Sequence, residues 1–143
     1  MKVAVVVGSE SDRKLAEEAE KVLEEFGVEC RVHVASAHRN PEKVARLAEE
    51  DYDVFIAIAG LSAALPGVLA SHTLKPVIGV PREVRLMGLD ALLSIAQMPP
   101  GIPVAAVGID SAKNAALLAV RILALQSEEL REKLKEHRER MRG

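Results

Sequence analysis

The sequence predicts an α/β fold in which a doubly wound parallel sheet forms the middle of three layers, followed by a C-terminal helix. Three observations predict this class. Short β-branched runs alternate with helical patterns five times along the chain, and this order is typical of parallel strands joined by right-handed helical crossovers. Most of the runs are apolar throughout, as strands buried on both faces are. Clusters of Gly, Pro and small polar residues separate the segments.

The five predicted strands differ in their side-chain patterns. Four are uninterrupted apolar runs, which indicates burial on both faces of the sheet. The second alternates Cys30, Val32 and Val34 with polar residues, which indicates one polar face and a position near the edge of the sheet. The predicted strands cover residues 3–7, 30–34, 54–59, 77–80 and 104–107.

Five helices are predicted between and after these strands from helical periodicity and end signals. Asp12 is the expected cap of the first helix and Gly27 its stop. Asn40 and Pro41 provide the cap and first turn of the second. The predicted helices cover residues 13–26, 41–48, 61–70, 89–95 and 114–125. In such a flavodoxin-like sheet ligands bind beyond the carboxyl ends of the strands, so the loops after the first three strands are the expected site.

The last residues differ in composition from the rest of the chain because they are rich in Glu, Lys and Arg. We expect residues 1–126 to form a single α/β catalytic domain and residues 127–143 to form a charged C-terminal helix. Leu130, Leu134 and Met141 give this helix a thin apolar stripe. The stripe is compatible with docking on the body or on a neighbouring subunit, and equally with a solvated helix.

Composition narrows the range of partners. The 143 residues suffice for one core, and a net charge of −2 gives no electrostatic reason to expect nucleic acid or a membrane surface. Two Phe and one Tyr are too few to stack nucleic-acid bases, and no apolar run reaches the length of a membrane span. The single cysteine, Cys30, can form no intrachain disulfide, which fits a cytoplasmic location. A small-molecule substrate is therefore expected.

The first loop, residues 8–12, combines a glycine, two serines and a carboxylate at the start of a helix. Free backbone N–H groups there attract phosphate, and the Asp12 carboxylate can bind ribose hydroxyls, so a nucleoside monophosphate would fit. Ser9 and Asp12 are the candidate ligands. Plain helix capping explains the same residues equally well. The spacing matches neither a dinucleotide fingerprint nor an ATPase phosphate loop.

The second loop places Ser36, His38 and Arg39 at the end of the second strand. A guanidinium can hold a phosphate by two parallel hydrogen bonds. An imidazole titrates near neutral pH, as a group that removes and returns a proton must. A polar surface loop is the simpler alternative for such a pair.

The third loop is nearly free of charge where the fold expects a ligand. Its small side chains could line a dry cavity for an uncharged molecule such as CO2, and close packing of a helix on the sheet explains them as well. The candidate lining residues are Gly60, Ser62, Ala63, Ala64 and Leu65.

The remaining histidines and the cysteine are expected to be structural or solvated. His33 lies on the polar face of the second strand, His72 near a helix end and His137 in the charged tail. No pair of histidines has the spacing of metal ligands. Cys30 is expected to be a small core residue, since nothing nearby would lower its pKa.

Several motifs follow one another from the first loop to the last predicted helix of the body. They are Gly8-Ser9-x-Ser11-Asp12, Ser36-Ala37-His38-Arg39-x-Pro41, Leu65-Pro66-Gly67, Gly88-Leu89-Asp90, Gln97-Met98-Pro99 and Asn114-Ala115. Together they resemble the N5-carboxyaminoimidazole ribonucleotide mutase family of purine biosynthesis, also described as the catalytic subunit of phosphoribosylaminoimidazole carboxylase.

The resemblance implies a set of roles. Ser9, Asp12 and Arg39 would bind the ribose phosphate, with Ser36 also in the substrate site, and His38 would exchange the proton at C4 of the imidazole. The carboxylate would leave the exocyclic nitrogen as CO2 and be attacked by C4, with no metal or organic cofactor. Members of the family are typically homo-octamers. The loop with Gln97 and Met98 would help to cover the site.

One departure from the family pattern leaves alternatives open. Mutases usually carry Ala-Ala-His-Leu-Pro-Gly here, so Ala64 stands where a histidine is usual. Carboxylases that use free CO2 have a loop similar to Gly-Arg-Ser-Asn-Ala-Leu-Ser-Gly, which Ser62, Ala64 and Leu65 match. A direct carboxylase of aminoimidazole ribonucleotide, a lyase, is therefore one alternative, and a non-catalytic nucleotide-binding module is another. A pyridinium carboxylase is disfavoured because it would need a cysteine in place of Met98.

Overall fold

The fold is described from a computed structural model of residues 1–143. Five parallel strands form one sheet in the order β2-β1-β3-β4-β5. The strands are β1 Lys2–Val7, β2 Glu29–Val34, β3 Val54–Gly60, β4 Val77–Arg82 and β5 Ala105–Ala106. The helices are α1 Arg13–Glu25, α2 Pro41–Ala48, α3 Leu65–Ser71, α4 Leu89–Ala96, α5 Ala112–Ala124 and α6 Glu128–Arg142. This is the predicted doubly wound, flavodoxin-like α/β architecture.

Two hydrophobic cores lie on the two faces of the sheet because side chains alternate along each strand. In β1, Val3, Val5 and Val7 face the core that includes α1 and α5, whereas Ala4 and Val6 face the core that includes α2, α3 and α4. All five side chains are fully buried. The sheet therefore forms the middle of three layers, as the apolar runs predict.

The sheet order places the point where the winding reverses at β1. The chain runs outward from β1 to β2 in one direction and through β3, β4 and β5 in the other. The crevice beyond the carboxyl ends of β1 and its two neighbours is therefore the expected ligand position. The β2 strand lies at the edge, as its alternating pattern predicts.

Several element boundaries differ from the predicted ones, most of them by one or two residues. Helix α3 begins at Leu65 rather than at residue 61, since Leu61 (φ 56°) and Ala63 (φ 42°) adopt left-handed backbone conformations that no α-helix contains. Strand β5 is only two residues long and exposed, as a short edge strand often is. Strand β4 continues through Pro81 to Arg82, which pairs with Gly60 of β3.

The Asp12 cap predicted for α1 is wrong. Asp12 has helical backbone angles and its carboxylate makes no capping hydrogen bond. Asn40 does cap α2, because its Oδ1 accepts a hydrogen bond from the Lys43 backbone N–H at 3.2 Å. Gly27 follows α1 with a φ of 72°, as a C-terminal glycine should.

Helix α6 packs on the body by the apolar stripe that the sequence shows. Leu130 is 5% exposed and Leu134 contacts the same core, whereas Met141 is 72% exposed. Lys133 Nζ donates to the Phe26 carbonyl oxygen at 3.1 Å, which joins α6 to the end of α1. None of the helices combines the length and the apolar character needed to cross a bilayer.

Candidate active site

A cavity of about 380 Å³ opens beyond the carboxyl ends of β1, β2, β3 and β4. It brings together the candidate residues from all three loops that the sequence singles out. Those lining it are Ser9, Asp12, Ser36, His38, Arg39, Gly60, Ser62, Ala63, Ala64 and Leu65. A cavity of this size can hold a small ligand.

The first loop forms a 3₁₀ turn over Glu10–Asp12 between β1 and α1. The Oγ atoms of Ser9 and Ser11 share a hydrogen bond at 2.6 Å, and Ser9 Oγ donates to Asp12 Oδ2 at 3.4 Å. Asp12 is only 6% exposed and is the one charged residue that the fold buries. The loop thus presents hydroxyls toward the cavity around a carboxylate held below the surface.

Arg82 is the partner of that buried carboxylate. Its Nε lies 2.8 Å from Asp12 Oδ1, and its side chain is 30% exposed. The contact is an ion pair, and Oδ1 has no hydrogen-bonding partner. Arg82 lines the cavity as well. It is a site residue that the sequence reasoning missed, although a charged residue straight after a buried strand and Pro81 was a usable signal.

The second loop is arranged around the Ser36 hydroxyl. Ser36 Oγ accepts from the Arg39 backbone N–H at 3.2 Å and from Arg39 Nε at 3.4 Å. The remaining guanidinium N–H groups make no hydrogen bond within the chain, and Arg39 has no acidic partner. His38 is exposed at the cavity and its ring has no hydrogen-bonding partner either. An imidazole and a guanidinium therefore stand side by side at the cavity, and the Ser36 hydroxyl is the one side chain that bonds to either of them.

The third loop carries backbone strain beside the cavity. Leu61 and Ala63 both have positive φ, and the turn is held by the Ala63 N–H, which donates to the Gly60 carbonyl at 3.0 Å. Ser94 Oγ of α4 donates to the Ser62 carbonyl. Positive φ at non-glycine residues is costly and is often found at functional sites.

The surroundings of the third loop are only partly dry. Ala63 and Leu65 are buried, Gly60 and Ala64 are half-buried, and Ser62 is exposed. Leu61 at the rim is 49% exposed. A single chain therefore provides an apolar floor for a small ligand and leaves the mouth open to solvent.

Gln97 and Met98 do not line the cavity of their own chain. They follow α4, where Met98 packs against Gly67 so closely that a Cβ on that glycine would lie 3.1 Å from the Met98 thioether.

Two of the other titratable side chains that the sequence singles out, His33 and Cys30, are structural. His33 Nε2 and the Tyr52 hydroxyl share a hydrogen bond at 2.7 Å, and burial lowers the pKa of His33. Burial raises the pKa of Cys30 to about 12, with Glu20 and Glu24 adding to the effect, so its thiol is unreactive. The structure brings no three His, Cys, Asp or Glu side chains into an arrangement that could hold a metal ion.

Comparison with known proteins identifies the family of the chain. A family profile described as AIR carboxylase matches residues 2–143. The N5-carboxyaminoimidazole ribonucleotide mutase of Methanocaldococcus jannaschii is 60% identical over 141 residues, covering 98% of this chain and 90% of that protein. The mutase of Pyrococcus abyssi is 58% identical over 146 residues, covering 99% and 84%. The crystal structure of Treponema denticola PurE has a TM-score of 0.88 at 34% identity, covering 96% of this chain and 89% of that one. The chain belongs to the AIR carboxylase family.

Proposed function

We propose that this protein is an N5-carboxyaminoimidazole ribonucleotide mutase, an isomerase of purine biosynthesis that uses no metal or organic cofactor. The observation that carries the proposal is the meeting of three features at one cavity. They are the hydroxyl and carboxylate loop at residues 9–12, the pair His38 and Arg39, and the small uncharged side chains at residues 60–65. The curated relatives with this name are similar over nearly the whole chain.

Substrate binding is assigned to the first two loops. Arg39 has guanidinium N–H groups free to hold phosphate oxygens, and Ser36 orients it. Ser9 adds a hydroxyl and Asp12 a carboxylate that can accept hydrogen bonds from ribose hydroxyls. Together these groups recognise a ribose phosphate.

The chemistry is assigned to the second and third loops. The bond between the exocyclic nitrogen and the carboxylate carbon breaks and releases CO2, which stays above the floor made by Ala63, Ala64 and Leu65. C4 then attacks the CO2 and forms the new carbon–carbon bond. His38 removes the proton displaced from C4, and the exocyclic nitrogen regains one, so no net proton is consumed.

The open mouth of the cavity supports a homo-octameric assembly in which a neighbouring copy covers the site with Gln97 and Met98. Four apolar side chains near α4 are left to solvent in the single chain, as subunit contacts often are. They are Leu86 at 71%, Met87 at 80%, Leu89 at 50% and Leu93 at 51% exposed. We further propose a cytoplasmic location, and a catalytic domain over residues 1–126 with residues 127–143 as an added helix.

A turnover assay with labelled bicarbonate tests the reaction. The purified chain is given N5-carboxyaminoimidazole ribonucleotide in buffer that contains ¹³C-bicarbonate, and the C4-carboxylated product is followed by absorbance and mass. A mutase forms the product quickly and with little label, because CO2 released in the site is captured before it escapes.

Two results would contradict the proposal. Product formed only from aminoimidazole ribonucleotide and free CO2, with full label, would assign the direct carboxylase, which Ala64 in place of the usual histidine favours. Tight binding of the ribonucleotide without any turnover would assign a non-catalytic binding module.

A further inference from the structure

We propose that Arg82 is a positioning residue that neutralises Asp12 and thereby allows an anionic ribose phosphate to bind beside a buried carboxylate. The inference rests on the proposed function only for the ribose phosphate end of the substrate. It concerns a residue outside the three loops that the family motifs point to.

The carboxylate of Asp12 depends on Arg82 for its charge balance. A buried charge is costly unless it is paired, and Asp12 is 6% exposed. Within the first loop it receives only the long 3.4 Å hydrogen bond from Ser9, on Oδ2. Arg82 Nε at 2.8 Å from Oδ1 is its one ion-pair partner. Removal of the guanidinium would leave an unpaired negative charge at the wall of the cavity.

Arg82 reaches Asp12 across an intervening strand. Arg82 ends β4, Asp12 follows β1, and β3 lies between them. The residue of β3 that pairs with Arg82 is Gly60. A Cβ there would lie 2.6 Å from Val84 Cγ2 and 3.6 Å from Arg82 Cβ. The close approach at this glycine is to Val84, whereas 3.6 Å to Arg82 Cβ is an ordinary van der Waals distance.

The two guanidinium groups that line the cavity therefore have different roles. Arg82 is occupied by Asp12, whereas Arg39 is bound only to the Ser36 hydroxyl and keeps its charge free for a ligand. A carboxylate shielded from water, as Asp12 is, and a phosphate bound beside it repel each other. With Arg82 present, Asp12 can accept hydrogen bonds from ribose hydroxyls without opposing the phosphate held by Arg39.

The test measures the affinity of the full chain for ribose 5-phosphate by calorimetry. Arg82→Met should weaken binding by about tenfold or more, because the buried carboxylate loses its partner. The double variant Arg82→Met with Asp12→Asn should regain part of that loss, since the unpaired charge is gone and the amide oxygen can still accept a hydrogen bond from ribose. Arg82→Lys should also keep most of the affinity, because it retains a cation. Arg85→Met is the matched control, since Arg85 is exposed and outside the cavity.

A second readout separates positioning from a general loss of structure. In turnover of N5-carboxyaminoimidazole ribonucleotide, Arg82→Met should raise KM far more than it lowers kcat, because His38 is untouched. Unchanged affinity in Arg82→Met, no recovery in the double variant, or no binding of ribose 5-phosphate by the native chain would each overturn the inference. Ribose 5-phosphate lacks the imidazole and the carboxylate, so failure of the mutase assay alone would overturn the proposed function and leave this inference standing.

Discussion

His38 is the side chain on which the proposed chemistry depends, and it stands exposed at the cavity without a hydrogen-bonding partner. We predict that His38→Asn lowers kcat by about a hundredfold or more, because no other acid–base group replaces a positioned imidazole. Binding of aminoimidazole ribonucleotide should change little, since Arg39 and the first loop are intact. Steady-state kinetics and calorimetry check the two halves of the prediction. His72→Asn, at an exposed histidine outside the cavity, is the control, and equal losses in the two variants would count against the role of His38.

His33 should make the stability of the protein sensitive to acid. Burial lowers its pKa in the folded state, with Lys43, Arg31 and Lys2 acting in the same direction against Glu50. Between the folded pKa and the unfolded value of about 6.5 the unfolded chain binds more protons, so the free energy of unfolding falls as the pH drops through that range.

We predict that His33→Gln reduces this acid sensitivity while a Gln side chain can still bond to the Tyr52 hydroxyl. Thermal unfolding of both proteins from about pH 7 to about pH 5 checks it. The native protein should lose more stability than the variant over that interval. Parallel curves for the two proteins would show that His33 does not contribute.

Candidate site residues could be predicted from the sequence where their chemical type alone suggests a role. A residue whose role depends on a partner far away in the chain could not be predicted. Ser9, His38 and Arg39 lie in the loops that follow β1 and β2, and the sheet order brings these loops to one cavity. Arg82 could be linked to Asp12 only once the order of the strands was known. The pairing is set by tertiary structure, so no local pattern contains it.

At the scale of elements, the N-termini of α1 and α2 differ in their capping. Asn40 caps α2 through Lys43, whereas the carboxylate at the start of α1 is used by Arg82 instead. We predict that Asn40→Ala lowers the free energy of unfolding by about 1 kcal/mol, because one backbone N–H of α2 loses its acceptor. Urea unfolding checks this.

Ser111 supplies the matched control for that prediction. It occupies the N-cap position of α5 with no side-chain capping hydrogen bond. Ser111→Ala should therefore lower the free energy of unfolding much less than Asn40→Ala does. Equal losses in the two variants would mean that the type of residue at the N-cap, rather than the observed hydrogen bond, determines the stability of these helices.

The number and order of the elements were predictable because they follow from burial. The buried runs of β1, β3 and β4 have no polar face, and only a parallel sheet covered on both sides accommodates them. The start of α3 was not predictable from periodicity. Small residues suit a helix, and the strained turn at Leu61 and Ala63 depends on contacts such as that of Ser94 with the Ser62 carbonyl.

At the scale of the whole molecule, the single chain leaves the cavity partly open to solvent. The cavity mouth is open at Leu61 and Ser62, and the loop with Gln97 and Met98 lies away from it against Gly67. Exposed apolar side chains around α4 provide the surface on which copies could associate. The proposed sharing of the site between copies would close the mouth, and mixing of inactive subunits can test it.

We predict that subunits of His38→Asn and of Gln97→Ala, each of low activity alone, regain activity when dissociated together and reassembled. If one copy supplies His38 and a neighbour supplies Gln97, random assembly of equal amounts leaves about a quarter of the sites with both native residues. Subunits of His38→Asn mixed with Asp12→Ala are the control, since His38 and Asp12 line the cavity of the same chain and mixing cannot reunite them. Light scattering shows whether the mixed subunits have reassembled. If they have, and the first mixture is no more active than its separate components, Gln97 lies outside the site. Recovery in both mixtures would contradict the assignment of one chain's loops to one cavity.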